Sequence, residues 1–423
     1  MSETDFVLPG HYKLLSAIIV SYDTQKQLEI SNLIPSFSIE ESLDNDSVRG
    51  VVSIYDTVGF LEDFPVRGEE LLIMEVEDAL KLKRRYEFRI YKVTNVRIKD
   101  TNDGLVYDMH FTSKWRYEAG KRRIIRPFEN TIKDIVSLIF SAYYPEGKDM
   151  LIEETDGIFR CVIPNYTPMQ AMNFLASRAY SQTSPSCSFR FFENADNFFF
   201  VSDEYLIKLA RDNPENIKEF MYSDALEKSG SQFLEQMKNI ISIENSERVN
   251  TMIDLYSGAY TSNVIEIDLV KKVVENKRYR YDSSKYTAMS GLKAEGVHST
   301  RFTDDYFTEE NERRYLVVKD YTSIGDTPSN IRGEQYLVDI VQNRVAYRHH
   351  LNNTVVYAKT HGRLDLKAGD IIDLKIPNFS TGDRGREENR QLSGKYLVND
   401  CKQVFIHDVH ETALKLIKYD WSQ

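Results

Sequence analysis

The sequence predicts a multidomain, β-rich α+β protein: two similar antiparallel β-barrels, an α/β domain and an inserted domain. Three observations predict it. Apolar and polar residues alternate over long stretches near both ends, the pattern of strands buried on one side. The period lengthens to that of a helix from about residue 114, where one stripe of the chain is apolar. The strand plan of residues 355–419 is also repeated near the N-terminus.

The C-terminal stretch, Val355 to Tyr419, is the clearest. Arg363-Leu364-Asp365-Leu366 alternates as a strand does, and Lys367-Ala368-Gly369-Asp370 reads as a turn. Ile372, Leu374 and Ile376 then share one face, with Ile371, Asp373 and Lys375 on the other. Tyr396–Ile406 is a long strand, Asp408–Glu411 turns it, and Thr412, Leu414 and Leu416 return antiparallel. Near the N-terminus, Gly68-Glu69-Glu70-Leu71 parallels Gly369-Asp370-Ile371. A long strand follows at Tyr86–Arg97, then a turn at Asp100–Gly104 and a return strand at Leu105–Thr112.

Taken in order, residues 1–10 read as a loose tail. Strands are expected at Ile18–Tyr22, Gln27–Ile30, Phe37–Ile39, Val48–Tyr55 and Glu70–Val76, with Glu77–Arg85 a charged insertion. Thr131–Tyr143 is helical, with Ile132, Ile135, Val136 and Ile139 on its buried stripe and Asn130 as cap. Thr167-Pro168-Met169-Gln170 opens a second helix: an N-cap Thr, Pro at the first helical position and Gln three residues after the cap. Cys187–Phe192 and Phe198–Val201 form a hairpin. Strands resume at Lys238–Glu244, Met252–Tyr256 and Val264–Ile267, taken as the start of the second barrel. Residues 275–335 read as a polar insertion, and Gln335–Leu351 as a helix leading back to the barrel. The resulting division is 1–117 for the first barrel, 118–232 for the α/β domain, 233–274 with 346–423 for the split second barrel, and 275–345 for the inserted domain.

This order of elements resembles the baseplate hub protein of contractile-tailed phages of the large myovirus type. It is similar also to the N-terminal half of type VI secretion VgrG spike proteins. The best local matches are Arg344–Leu374, Tyr396–Tyr419, Arg123–Tyr144 and Ile163–Pro168 with the helix after it. The resemblance implies that the two barrels are tube domains and that the second is split by an insertion. It implies a homotrimer whose six quasi-equivalent barrels form a ring. That ring joins a hexameric tail tube to a trimeric central spike, among other baseplate proteins, and leaves a channel for the genome. The expected location is the virion tail, after assembly in the host cytoplasm. The chain ends at Gln423, just after the barrel, which favours a hub with a separate spike over a secretion-system spike.

Composition narrows the function. A net charge of −11 argues against a general nucleic-acid binder. The basic clusters Lys81–Arg85, Lys121–Arg123 with Arg126, and Lys277–Tyr281 therefore read as solvated faces or subunit contacts. The acidic balance also suggests a negative channel wall that does not hold passing DNA. The three Cys residues, Cys161, Cys187 and Cys401, form no disulfide framework, so a reducing compartment is expected. No apolar run approaches the roughly 20 residues of a membrane span, so no direct membrane insertion is expected.

No phosphate-binding glycine loop, nucleophile elbow, His-Glu-x-x-His or calcium loop occurs. Cys401, His407 and His410 lie close in sequence, but Cys401 and His407 are roughly 20 Å apart on one extended strand. No catalytic, cofactor-binding or metal residue is assigned, and no cofactor is expected. His349-His350 suits a helix end. The loop Asn378–Gly394, with Arg384, Arg386 and Arg390, is long enough to be a contact element. A structural assembly protein is the leading reading. A tail-associated cell-wall hydrolase is the alternative, because paired carboxylates leave no fixed spacing.

Overall fold

The computed structural model describes residues 8–64, 66–98, 104–183, 186–222, 233–248, 252, 261–269, 272–280, 313–318, 343–345, 347–348, 351, 354–378, 388–389 and 392–419. Its N-terminal strands are β1 (Tyr12–Val20), β2 (Gln27–Glu29), β3 (Ser36–Ser42), β4 (Arg49–Asp56), β5 (Leu71–Asp78), β6 (Lys83–Ile98) and β7 (Leu105–Ser113). The middle of the chain adds β8 (Ile124–Thr131), β9 (Met150–Ile152), β10 (Ile158–Tyr166), β11 (Phe189–Glu193), β12 (Phe198–Ser202) and β13 (Lys218–Met221). Then come β14 (Ile240–Arg248), β15 (Thr261–Asp268), β16 (Val273–Arg280) and β17 (Arg313–Val318). The last four are β18 (Thr354–His361), β19 (Ile371–Lys375), β20 (Gly394–Ile406) and β21 (Val409–Lys418).

Thirteen of these strands form one sheet. Its order contains the same five-strand plan twice. β3-β4-β7-β6-β5 is one copy, and β14-β18-β21-β20-β19 is the other. Local geometry matches as well as order. Gly68 and Gly369, each just before the fifth strand of its copy, have φ of 98° and 91°, the left-handed region that glycine enters without steric cost. The Ile90 N–H donates to Glu70 O at 3.0 Å, and the Val398 N–H to Asp370 O at 2.9 Å. A β-bulge follows at once in both long strands, between Ile90 and Lys92 and between Val398 and Asp400. The repeat seen in the sequence is therefore a repeat of backbone hydrogen bonding. The copies differ at their outer strand: β1 runs antiparallel to β5, whereas β13 runs parallel to β19.

The copies are fused through β20. Its first residues pair with β19 and its last seven, Asp400–Ile406, pair with β3. Each copy keeps its own core. Ile19, Ile39, Ile54, Met74, Phe88, Met109 and Phe111 fill the first, and Val356, Leu366, Leu374, Tyr396, Cys401 and Leu416 the second. Gly50 marks one tight spot, since a Cβ there would lie 2.1 Å from Ser38 O and 2.4 Å from the Phe111 ring. The strand path runs open from β14 to β2 among the described residues, where two closed barrels were expected.

The α/β unit lies against this sheet. β11, β12 and β9 form a three-stranded sheet, and β8 pairs with β10. The helices Ile132–Tyr143 and Pro168–Ala176 pack their apolar stripes with Phe189, Phe191, Phe198 and Phe200. The capping box at Thr167 and Gln170 is present in both directions. The cap of the first helix is Thr131, whose side chain accepts from Asp134 N, rather than Asn130. Asn130 instead accepts from the Thr131 N–H.

Other expectations also change. Arg363–Leu366 is a loop, not a strand. Arg363 forks onto Asp365 at 2.9 and 2.7 Å, and the Leu364 N–H donates to Asp78 Oδ2 at 2.9 Å. Side-chain bonds of this kind replace the ladder. Glu77–Arg85 is no insertion. Cross-strand Glu75/Arg85 and Glu77/Lys83 continue β5 into β6, as opposite charges favour. Asp78 Oδ1 closes the turn by accepting from the Leu80 and Leu82 N–H groups. Val264–Ile267 belongs to β15, which pairs with β16 and β17 in a separate sheet rather than in the second copy. Most of the expected helix 335–351, the strand 252–256, His349-His350 and the interior of loop 378–394 lie outside the described residues.

Candidate functional site

The side of the long sheet opposite the cores is polar. On β3, Phe37, Ile39 and Glu41 are buried while Ser36, Ser38 and Glu40 reach solvent. The same alternation runs through β4, β5 and β21, because successive side chains take opposite faces. Over the second copy this side forms a shallow hollow of about 550 Å³, where charged residues such as Glu40, Lys359 and Lys402 rim an apolar floor that includes Ile243, Ala358 and Leu414.

Its charges are of both signs and largely paired. Arg49 meets Glu40 at 2.9 Å and Lys359 meets Glu411 at 3.5 Å. Over the first copy, Asp108 accepts from Ser53 at 2.7 Å and from Asn95 at 2.6 Å, and Thr94 lies 2.8 Å from His110 Nε2. Exposed pairs of this kind add little stability, about 0–1 kcal/mol each. They do leave the charges of this side, which rim a partly apolar hollow, with no strong net sign. The charge of −11 is not concentrated here.

A second cluster joins the sheet to the α/β unit. Arg190 Nη1 donates to Asp44 at 2.6 Å, its Nη2 donates to Asp203 Oδ2 at 3.2 Å, and its Nε lies 2.7 Å from Asp203 Oδ1. Glu193 Oε1 accepts from Lys148 and Ser113, both at 2.8 Å, and its Oε2 accepts from the Val48 N–H at 3.2 Å. Glu204 accepts from Ser186 and Ser188. Burial raises the Glu193 carboxyl above the usual range and takes that of Glu204 to about 7. These carboxylates face protein donors; Asp44 through Arg190, and Glu193 through Val48 and Ser113, hold the two units together, whereas Glu204 is bound within the α/β unit. Sequence spacing gave no sign of them: Lys148 and Glu193 are 45 residues apart.

Cys401 and His410, weighed above as metal ligands, both turn onto Gln403. His410 Nε2 lies 2.7 Å from Gln403 Oε1, and the Cys401 thiol donates to Leu366 O at 3.4 Å. His407 is exposed on the turn, with φ of 52°. Of the basic clusters, Arg84 pairs with Asp196 at 2.7 Å and Lys121 with Glu118 at 3.2 Å. Lys277 pairs with Glu266 at 3.0 Å.

Glu41 gives the fold a pH dependence. Its carboxylate, 3% exposed, accepts from the Ala368 N–H at 3.1 Å, and burial pushes it from 4.5 up to about 7. The folded chain then holds a proton that the unfolded chain releases. The contribution of Glu41 to stability is full below pH 4.5 and is lost as pH rises to about 7. His410 works in the opposite sense. Burial lowers it from 6.5 to about 3, so its contribution is full above pH 6.5 and is lost as pH falls through 3. Glu41→Gln should make the fall in urea midpoint between pH 4.5 and 7 shallower, with Glu204 supplying a remaining part of it, while leaving the acid limb in place. An unchanged curve would show that Glu41 ionises normally.

No protein-family model and no curated protein matches the sequence. Solved structures do match. A tail protein from Neisseria meningitidis MC58 superposes with a TM-score of 0.55 at 10% identity, over 96% of this chain and 97% of that one. The 43 kDa tail protein of prophage MuSo2 from Shewanella oneidensis gives 0.55 at 8% identity, over 96% and 99%. The chain has the fold of phage tail proteins. The likeness spans nearly the full length of both relatives, so it takes in the repeated sheet and the α/β unit together. The E. coli c3393 protein, a component of the type VI secretion system, gives a TM-score of 0.47 at 10% identity, over 97% of this chain and 77% of that one.

Proposed function

We propose that this chain is a structural subunit of the baseplate hub of a contractile phage tail. Three copies form a ring of six similar units between a hexameric tail tube and a trimeric spike. The observation that carries this reading is the five-strand plan present twice in one sheet. A chain that carries a unit twice gives a trimer near-sixfold symmetry on one face. The rest of the chain keeps true threefold symmetry. The two tube units correspond to residues 1–117 and to 233–274 with 346–423, less the strand β15, which goes with the inserted part 275–345. Residues 118–232, less the strand β13, which pairs with β19 in the second unit, form the α/β unit that faces the spike or a neighbouring baseplate protein. The polar side of the sheet lines the channel. Its cancelled charges, rather than a negative wall, would let DNA pass without binding.

The alternative of a cell-wall hydrolase is less well supported, because the buried carboxylates described above are taken up by protein donors. Light scattering on the purified chain tests the proposal. Three times 49.2 kDa, about 148 kDa, is the expected mass. A single-chain mass at every concentration, unchanged by adding a tube or spike protein, would contradict it.

A further inference from the structure

Among the described residues, Arg84, Arg89, Arg160, Arg190, Arg344 and Arg348 each have a buried Nε that makes no hydrogen bond. The first four are answered by a carboxylate all the same. Arg84 meets Asp196 at 2.7 Å, Arg89 meets Glu118 at 3.1 Å, Arg160 meets Glu129 at 2.6 Å and Arg190 meets Asp203 at 2.7 Å. Arg344 and Arg348 form no ion pair with any described residue.

The backbone that carries these two is well anchored. They stand four apart in a helical stretch described at residues 343–345, 347–348 and 351, a spacing that puts both on one face. Tyr347 and Leu351 of the same stretch are 2% and 1% exposed. They pack with Leu206 and Ile207 of the helix Asp203–Asp212 and with Ile371, Leu397 and Ile417 of the second copy. The stretch is thus wedged between the α/β unit and the sheet. Asp203 attracts both guanidinium groups and Asp44 attracts that of Arg348, while Arg190 repels both. Those two carboxylates are already hydrogen-bonded to Arg190. Burial, and after it the neighbouring Arg348, lowers the Arg344 guanidinium to about 10. Like charges four apart on a helix repel, and a charge out of water is normally paired.

We infer that Arg344 and Arg348 together bind an oxyanion of the phosphate or sulfate class. Each guanidinium presents a planar fork of donors that matches two oxygens of such an ion, and a tetrahedral oxyanion has enough oxygens for both forks. The two side chains are only half-buried, so an ion reaches them from solvent without unfolding the chain. Bound there, it offsets the repulsion between the arginines and clasps the helical stretch to the α/β unit and the sheet. Arg190 keeps its own two carboxylates. The site lies within one chain, so it does not depend on ring assembly.

Equilibrium dialysis of the purified chain against labelled inorganic phosphate tests this, with ionic strength held constant by sodium chloride. Saturable binding of one phosphate per chain is expected. Arg344→Gln and Arg348→Gln should each weaken it about tenfold or more, the scale of a lost hydrogen bond to a charged group. Arg126→Gln, at an exposed position of β8, should leave it unchanged. Arg344→Lys and Arg348→Lys keep the charge without the fork; they should bind more weakly than the wild type and stand in where a Gln variant does not fold. The thermal midpoint of the wild type should also rise with phosphate, as binding to the folded state requires, and rise less in the Arg344 and Arg348 variants. A general salting effect of phosphate would raise all of them alike. No saturable phosphate binding by the wild type would overturn the inference. So would binding that Arg126→Gln weakens as much as Arg344→Gln does, or binding untouched by every change at Arg344 and Arg348.

Discussion

Replacing Arg190 with Met is expected to lower the unfolding free energy by about 3–5 kcal/mol, the scale of breaking a buried ion pair from one side. Asp203 is fully buried, and Arg190 is the cation described against it, with Asp44 on the other side. Met fills similar space and supplies no donor, so the Asp203 carboxylate loses its hydrogen-bonded partner in the interior and keeps only the Coulombic attraction of Arg344 and Arg348. Arg190 also ties β11 of the α/β unit to the loop after β3, so the loss should loosen the two units from each other. Denaturant unfolding followed by near-ultraviolet circular dichroism measures the effect. The double variant R190M/D203N should regain much of the stability, because removing both charges removes the uncompensated one. Equal losses in the single and double variants would mean that packing, not charge, is what Arg190 contributes.

Truncating Phe405 to Ala is expected to cost a similar amount, about 3–5 kcal/mol, by leaving a cavity. Phe405 has no solvent exposure and stacks on Phe37 at 4.2 Å and on His410 at 4.0 Å, with Tyr12 edge-on at 4.9 Å. It sits where β20 of the second copy meets β3 of the first, within the first copy's core. The loss should therefore appear as faster hydrogen exchange at β3 and the far half of β20, with β8 and β10 of the α/β unit little changed. Phe405→Leu keeps most of the volume and should cost about 1.5 kcal/mol or less. Uniform exchange across the molecule would mean that the two copies are not a separable join.

The repeat was legible because hydrophobic alternation, a left-handed glycine and a turn leave marks at fixed offsets. Gly68 and Gly369 carried that signal, and the capping box at Thr167 was readable for the same reason. The reading failed where partners are distant in the chain. Arg363–Leu366 alternates like a strand, yet Asp78, 286 residues away, accepts from its backbone. The fusion of both copies into one sheet depends on β20 meeting β3, a pairing across more than 350 residues that no local pattern announces. Strand β8 was missed because its burial does not alternate: Ile125, at its start, is 74% exposed. The buried charges that fix the α/β unit to the sheet were invisible for a different reason. Burial of Arg190 or Glu193 is a property of the assembled fold, and composition alone places such residues on the surface.

The most direct test of the central claim, that one chain supplies two equivalent units to a ring, is an electron-microscopy average of the assembled protein viewed down its axis. The account predicts a closed ring with six similar lobes around a channel, reducing to threefold symmetry where the α/β units come into view. A ring with only three lobes at every level, or an open filament, would contradict it.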